Sequence, residues 1–293
     1  MFIERMGKGI RQPTRDAMLS FATKKMGRGW GYGINETMDQ VGALTGPLMM
    51  AAVLTMGVTG GLGSIGDYQT ALRFLFIPAV IGFSVLLFAR FQFPRPRDLE
   101  SKSPKAGAEG LGRRYWLYVI AAGLVGAGFA DFALIAFHFK KTGLLTDNLI
   151  PVLFASGALA RVAVALYFGK LYDRNRFAAI FITFGLSSIF APLVFLGSLP
   201  LVIVGVILWA IGLTAQSSIM RAALADVVPA HRRAYGFGLF SLVFGLFWFA
   251  GSAAMGYLYD VSVPGLVALS LALSLAALPV FYLAKRAPEP VSE

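Results

Sequence analysis

Leu199–Arg221, LPLVIVGVILWAIGLTAQSSIMR, decides the fold. It runs to Arg221 before meeting a charged residue. A helix rising 1.5 Å per residue needs about 20 such residues to cross a bilayer core. Directly before it, Gly197–Pro200 leaves room only for a tight turn, and another apolar stretch, Phe177–Gly197, precedes that turn. Two long apolar runs joined so closely must form an antiparallel hairpin across the membrane. Outward from this pair the pattern repeats. The further stretches are Gly31–Val58, Thr70–Arg90, Tyr115–Phe137, Asn148–Gly169, Ala234–Leu258 and Pro264–Lys285. The runs are continuous and lack the ten-residue alternation of outer-membrane strands. The expected fold is an all-α polytopic membrane protein with about eight transmembrane helices.

Composition agrees. Of the 293 residues 57% are hydrophobic and only 14% charged, against about a quarter charged in soluble domains. Mean hydropathy is +0.70. A soluble core cannot absorb that much apolar surface. A disordered chain and a disulfide-rich module are excluded too, the second because there is no cysteine. The basic N-terminus MFIERMGKGIRQPTRDAM lacks the apolar stretch of a cleavable signal.

The net charge of +11 follows from loop orientation rather than from nucleic acid. With alternating hairpins, 22 of the 26 Lys and Arg fall on one side of the membrane. The positive-inside rule makes that side cytoplasmic and places both termini there, as expected in a plasma or inner membrane. The chain then divides into a stub with two helices (1–90), a polar Pro- and Gly-bearing linker (91–114), and a six-helix bundle (115–293).

An internal repeat appears at an offset of 205 residues. Gly7, Ala17, Leu19, Arg28, Gly31, Gly33, Gly46 and Met50 fall on Gly212, Ala222, Leu224, Arg233, Gly236, Gly238, Gly251 and Met255, and Trp30 meets Tyr235. The period is six spans. The second copy is complete, and the first shows only its last two spans and a stub. Three spans and most of a fourth are therefore expected ahead of Met1.

Three signatures resemble the major facilitator superfamily. Gly169-Lys-Leu-Tyr-Asp173-Arg174-Asn-Arg176 looks like the family's G-x-x-x-D-R-x-x-R loop in its second-half position. Gly33-x8-Gly42-x3-Gly46-Pro47 is similar to the fifth-helix signature of its proton-coupled antiporters, although Met50 and Ala51 replace the closing glycines. Arg5-x-x-Lys8-Gly9 looks like the fourth-helix R-x-x-Q-G pattern with Lys for Gln. The resemblance implies the last eight helices of a twelve-helix fold, a small-molecule substrate with protons as a coupling partner, no enzyme activity and no cofactor. The missing N-terminal helices would be needed for a complete transporter.

Ionisable residues inside spans cost about 2.5–3.5 kcal/mol or more and mark functional positions. They are Glu36 and Asp39 in the first span, Asp131 in the third and Arg161 in the fourth, with His138 near the outer end of the third. Asp131 and His138, seven apart, share a helical face and serve either as protonation or substrate groups or as a polar pair lining the mouth. Arg161 is expected to pair with Asp39, with Glu36 in reserve, or else to bind an anionic substrate. Asp16 is expected in a loop network with Arg11 and Arg15. Catalytic patterns are lacking: the two histidines have no metal-ligand spacing, and Gly60–Gly66 lacks the Lys-Ser/Thr of a phosphate loop.

The leading expectation is a secondary transporter working by alternating access, in its proton-coupled efflux form. A transport-incompetent remnant or a membrane scaffold is the other class the sequence leaves open.

Overall fold

The computed structural model describes residues 2–56, 65–92, 111–145 and 149–287. Most of the linker and Gly60–Gly63 lie outside the described residues. All regular structure among those described is helical: α1 (Phe2–Ala22), α2 (Arg28–Met56), α3 (Ile65–Gln92), α4 (Arg113–Ala127), α5 (Phe132–Thr142), α6 (Leu149–Arg174), α7 (Arg176–Ser188), α8 (Phe190–Leu196), α9 (Leu199–Thr214), α10 (Met220–Val227), α11 (Arg233–Val261) and α12 (Val263–Arg286). Seven described runs are long and apolar enough to cross a membrane, from Leu72–Gln92 to Val263–Arg286. The run expected over Gly31–Val58 forms α2, which carries Glu36 and Asp39 and is not among those seven.

Three expected spans are less regular than the sequence implied. The third breaks at Gly128–Asp131, between α4 and α5. Side chains from other helices take the carbonyls this frees: Ser270 Oγ donates to Gly128 O at 2.6 Å and Trp209 Nε1 to Ala130 O at 2.9 Å. Backbone at this depth must be satisfied within the protein, and α12 and α9 supply the donors. The fifth span is interrupted at Ile189, between α7 and α8. The sixth contains a π-helical stretch at Ala215–Ile219 and runs on through α10 to Val227, beyond Arg221.

By packing, the chain divides into two units, Met1–Thr37 with Lys102–Glu293, and Met38–Ser101. In the first, one buried cluster gathers Tyr115, Tyr118, Tyr172, Phe184, Phe237 and Phe281. A second, around the α4–α5 break, gathers Phe129, Phe139, Phe190, Phe195, Trp209 and Met255. The end of the bundle bearing Arg28, Arg176 and Arg233 is called the basic end below. In the second unit, Leu72, Phe76, Phe83 and Phe88 of α3 are exposed, the surface a lipid-facing helix presents.

Glycines set the approach of α2 to α6. A Cβ on Gly33 would lie 2.6 Å from the Ala165 carbonyl oxygen, and one on Gly169 would lie 2.6 Å from that of Gly29. Small residues thus let the two backbones touch. The repeat is visible in the turns as well. Gly31 leaves no room for a Cβ against Thr23, and Gly236 leaves none against Val228. The offset of 205 residues carries Gly31 to Gly236 and Thr23 to Val228.

Candidate functional site

The basic end is an interlocked set of charges. Asp173 closes α6 and turns its carboxylate onto the first turn of α2. Gly29 N–H and Trp30 N–H each donate to it at 2.8 Å. A carboxylate there satisfies free amides and complements the positive helix terminus. Gly27 has φ +99°, and a Cβ on it would strike this carboxylate. Beside it, Lys170 lies 4.5 Å over the Trp30 ring.

Asp226 on α10 is the second centre. It pairs with Arg28 and with Arg176 Nε at 3.1 Å, and accepts from Tyr172 Oη at 2.8 Å. A cavity of about 320 Å³ opens among Lys24, Arg28, Tyr172, Asp173, Arg176 and Asp226. Asp16 on α1 is the third. Arg221 Nε lies 3.3 Å from its carboxylate and Arg15 Nε 3.5 Å, while Tyr32 Oη donates to its backbone carbonyl at 2.6 Å. Arg233 closes the set, donating to Ala225 O at 3.3 Å and lying 4.5 Å over the Phe21 ring.

The loop signature meets α2 and α10. Gly169 sits against Gly29, Asp173 caps α2, Arg176 holds Asp226, and Arg174 ends α6 on the exposed surface. Arg5 and Gly9 lie on α1, Gly9 exposed; the side chain of Arg5 is outside the described residues. Gly42, Gly46 and Pro47 lie within α2, and no described atom would meet a Cβ on Gly42 or Gly46 within 4 Å.

Deeper in the bundle, Arg161 pairs with Glu36, the reserve partner, rather than with the first choice. Glu36 is buried. Asp39 is exposed and belongs to the second unit. Register explains the pairing. Gly29, Gly33 and Glu36 form one stripe of α2, and Gly169, Ala165 and Arg161 form the facing stripe of α6. Gly29 meets Gly169 and Gly33 meets Ala165, so the next step of this antiparallel ladder brings Glu36 to Arg161. Depth agrees, at about 12 Å from Arg28 and about 13 Å from Lys170. One turn beyond Arg161, Gly157 packs near Val206 and Trp209 of α9.

Asp131 stands at the N-cap of α5 but makes no side-chain cap bond. Its carboxylate accepts from Trp248 Nε1 at 3.2 Å and Ser252 Oγ at 3.4 Å, both on α11, and the residue is exposed. His138 is buried, with Nδ1 3.0 Å from Tyr259 Oη and its ring 5.1 Å from Phe195. Both residues look onto α11 from α5, Asp131 open at its first end and His138 sealed two turns further on. Among the described residues no three His, Cys, Asp or Glu come together as a metal site.

Sequence reasoning missed Asp226, Tyr172, Arg28, Trp248 and Ser252, and beside Asp16 it named Arg15 but not Arg221. An acid inside the basic run MRAALADVVPAHRR was the available signal for Asp226.

The family model of the Major Facilitator Superfamily matches residues 134–293. An uncharacterised protein of Mycobacterium tuberculosis and one of Mycobacterium bovis are each 33% identical over 287 residues, covering 95% of this chain and 68% of the relative. An uncharacterised MFS-type transporter of Methanocaldococcus jannaschii is 25% identical over 272 residues, covering 89% of this chain and 65% of its own length. The crystal structure of a bacterial homologue of the iron transporter ferroportin, in its outward-facing state, matches with a TM-score of 0.66 at 16% identity. It covers 88% of this chain, which spans 64% of that one. The family and the fold are those of transporters and not of enzymes, and this integral membrane chain belongs to the major facilitator superfamily.

Proposed function

We propose that the chain is the larger part of a secondary active transporter that exports a small solute in exchange for protons by alternating access. The observation that carries this reading is Asp131. A carboxylate at a break in a membrane helix, open on one side and held by two neutral donors, suits a group that alternates between proton and solute. The charges at the basic end support a closed cytoplasmic side in this conformation, with both termini cytoplasmic. Arg161 and Glu36 tie α2 to α6 and steady the wall of the pathway.

Helices ahead of Met1 complete a twelve-helix assembly in this reading. Gly251 packs onto Ala127, and the offset of 205 residues carries Gly251 to Gly46. The same offset carries Ala127 to a position before Met1, so a mate for Gly46 belongs to the first half.

The test is transport into proteoliposomes by the full-length protein under an imposed pH gradient. Asp131→Asn is expected to abolish gradient-driven flux at unchanged protein level. Flux by the 293-residue chain alone would overturn the need for further helices. Absence of any flux from the full-length protein would favour the remnant or scaffold class.

A further inference from the structure

We infer that the face at the α4–α5 break binds a monovalent organic cation with an apolar, ring-bearing body, its charge set against Asp131. The inference rests on the transporter reading above, since it names the substrate class for that same site.

Charge comes first. Asp131 lies beyond the far end of α4, whose 15 residues carry the chain about 22 Å from the basic end. Its two hydrogen-bond donors, Trp248 and Ser252, are neutral. Asp16, Glu36 and Asp226 each meet an arginine. No described basic side chain forms an ion pair with Asp131. A deep carboxylate without a fixed counter-charge is costly, and a mobile cation lowers that cost.

The walls come second. Phe132 follows Asp131 in sequence, and its ring lies 4.6 Å from Phe154 and 5.5 Å from Trp209. Trp248, whose indole holds the carboxylate, lies 5.6 Å from Phe244 and 6.3 Å from Phe129. Phe154 is exposed, and Phe132, Phe244 and Trp248 are half-buried. Phe129 and Trp209 lie buried beneath them. An open carboxylate is thus flanked by partly open rings over a buried aromatic floor. Ring faces attract cations, most strongly when both are out of water.

The alternatives fit less well. A hard divalent ion wants six or more oxygens, and the side-chain oxygens recorded together here are those of Asp131 and Ser252. An anion is repelled by Asp131. A neutral apolar solute fills the rings but leaves the carboxylate uncompensated. An organic cation uses both features and sheds a weaker hydration shell on entry.

The full-length protein in lipid nanodiscs is titrated with tetraphenylphosphonium, triphenylphosphine oxide and tetraphenylborate. The expected order is cation well above neutral, with no measurable binding of the anion. Asp131→Asn should weaken cation binding about tenfold or more, while Asp131→Glu retains most of it. Trp248→Ala should cost several-fold and Trp248→Phe less. Equal binding of cation and neutral analogue, or unchanged affinity in Asp131→Asn, overturns the inference. Should Asp131→Asn fail to fold, the charge series on the unaltered protein decides. Charge-selective binding without flux upholds the inference and defeats the transporter reading. Flux of a neutral or anionic solute without phosphonium binding does the reverse.

Discussion

Asp16 and Arg221 stand 205 residues apart, at equivalent positions of the two repeats, and pair with each other at 3.3 Å. The pair therefore sits on the pseudo-twofold axis relating α1 to α10. Its neighbours obey the same symmetry. Arg28 pairs with Asp226, and the offset turns those two positions into Arg233 and Phe21, which also meet, as cation and ring. One contact keeps an ion pair and its mate keeps a cation–π contact. The repeat read from scattered glycines is thus realised as reciprocal contacts, which is how a twofold interface is built.

The axial pair yields the first prediction. The Asp16 side chain is 3% exposed, so removing Arg221 leaves a buried charge. Arg15 stays beside that carboxylate, so Arg221→Ala is expected to cost less than the penalty of about 3–5 kcal/mol for breaking a lone buried pair. Asp16→Arg with Arg221→Asp should recover most of the loss. Melting of the detergent-purified protein, followed by size-exclusion fluorescence, checks this; no recovery in the double variant would refute the axial geometry.

Asp173 acts through geometry as well as charge. Asp173→Ala removes both acceptors from the α2 amides and should cost about 1 kcal/mol or somewhat more. Asp173→Asn keeps one acceptor and should fall between. An Asn variant as damaging as Ala would assign the whole effect to charge. The same melting assay separates the two.

Glu36 and Arg161 should behave as a unit. Each single neutralisation leaves the partner's charge deep in the bundle, so Glu36→Gln and Arg161→Gln should each reduce folded protein. The swap Glu36→Arg with Arg161→Glu should do better than either exchanged residue alone. Membrane protein yield and transport are the readouts, and a swap no better than the singles argues against direct pairing.

The α2–α6 seam has no slack. Gly33→Leu would drive a side chain into the Ala165 carbonyl and should cost at least about 1–3 kcal/mol, the range for overpacking. Gly33→Ala should cost less only if the helices separate slightly. A Gly33→Leu variant as stable as the unaltered protein would contradict the contact.

Much of the architecture was legible because lipid imposes it. Long apolar runs gave the spans from the second onward. The break at Gly128–Asp131 was not legible, because the donors that permit it, Ser270 and Trp209, come from distant helices. Asp226 was missed because the sixth span was ended at Arg221, whereas the π-helical stretch and α10 carry the helix on to Val227. The Arg161 partner was misjudged by one turn. Asp39 lies one turn from Gly42 and Gly46, but Gly29 and Gly33 make the stripe that touches α6. The loop signature was readable as far as its residue types, but the α2 amides that Asp173 caps carry no side-chain signal.

A contact on a twofold axis also records descent. Had the two halves once been identical copies, positions 16 and 221 would have held the same residue and faced their own image; for the present residues that means Asp against Asp, or Arg against Arg. Neither is tolerable at a buried position. The present pair can exist only once the copies have become distinguishable, on one chain or as two genes. Asp16 and Arg221 are therefore a mark of divergence after duplication, and they make each half recognise the other in preference to another copy of itself.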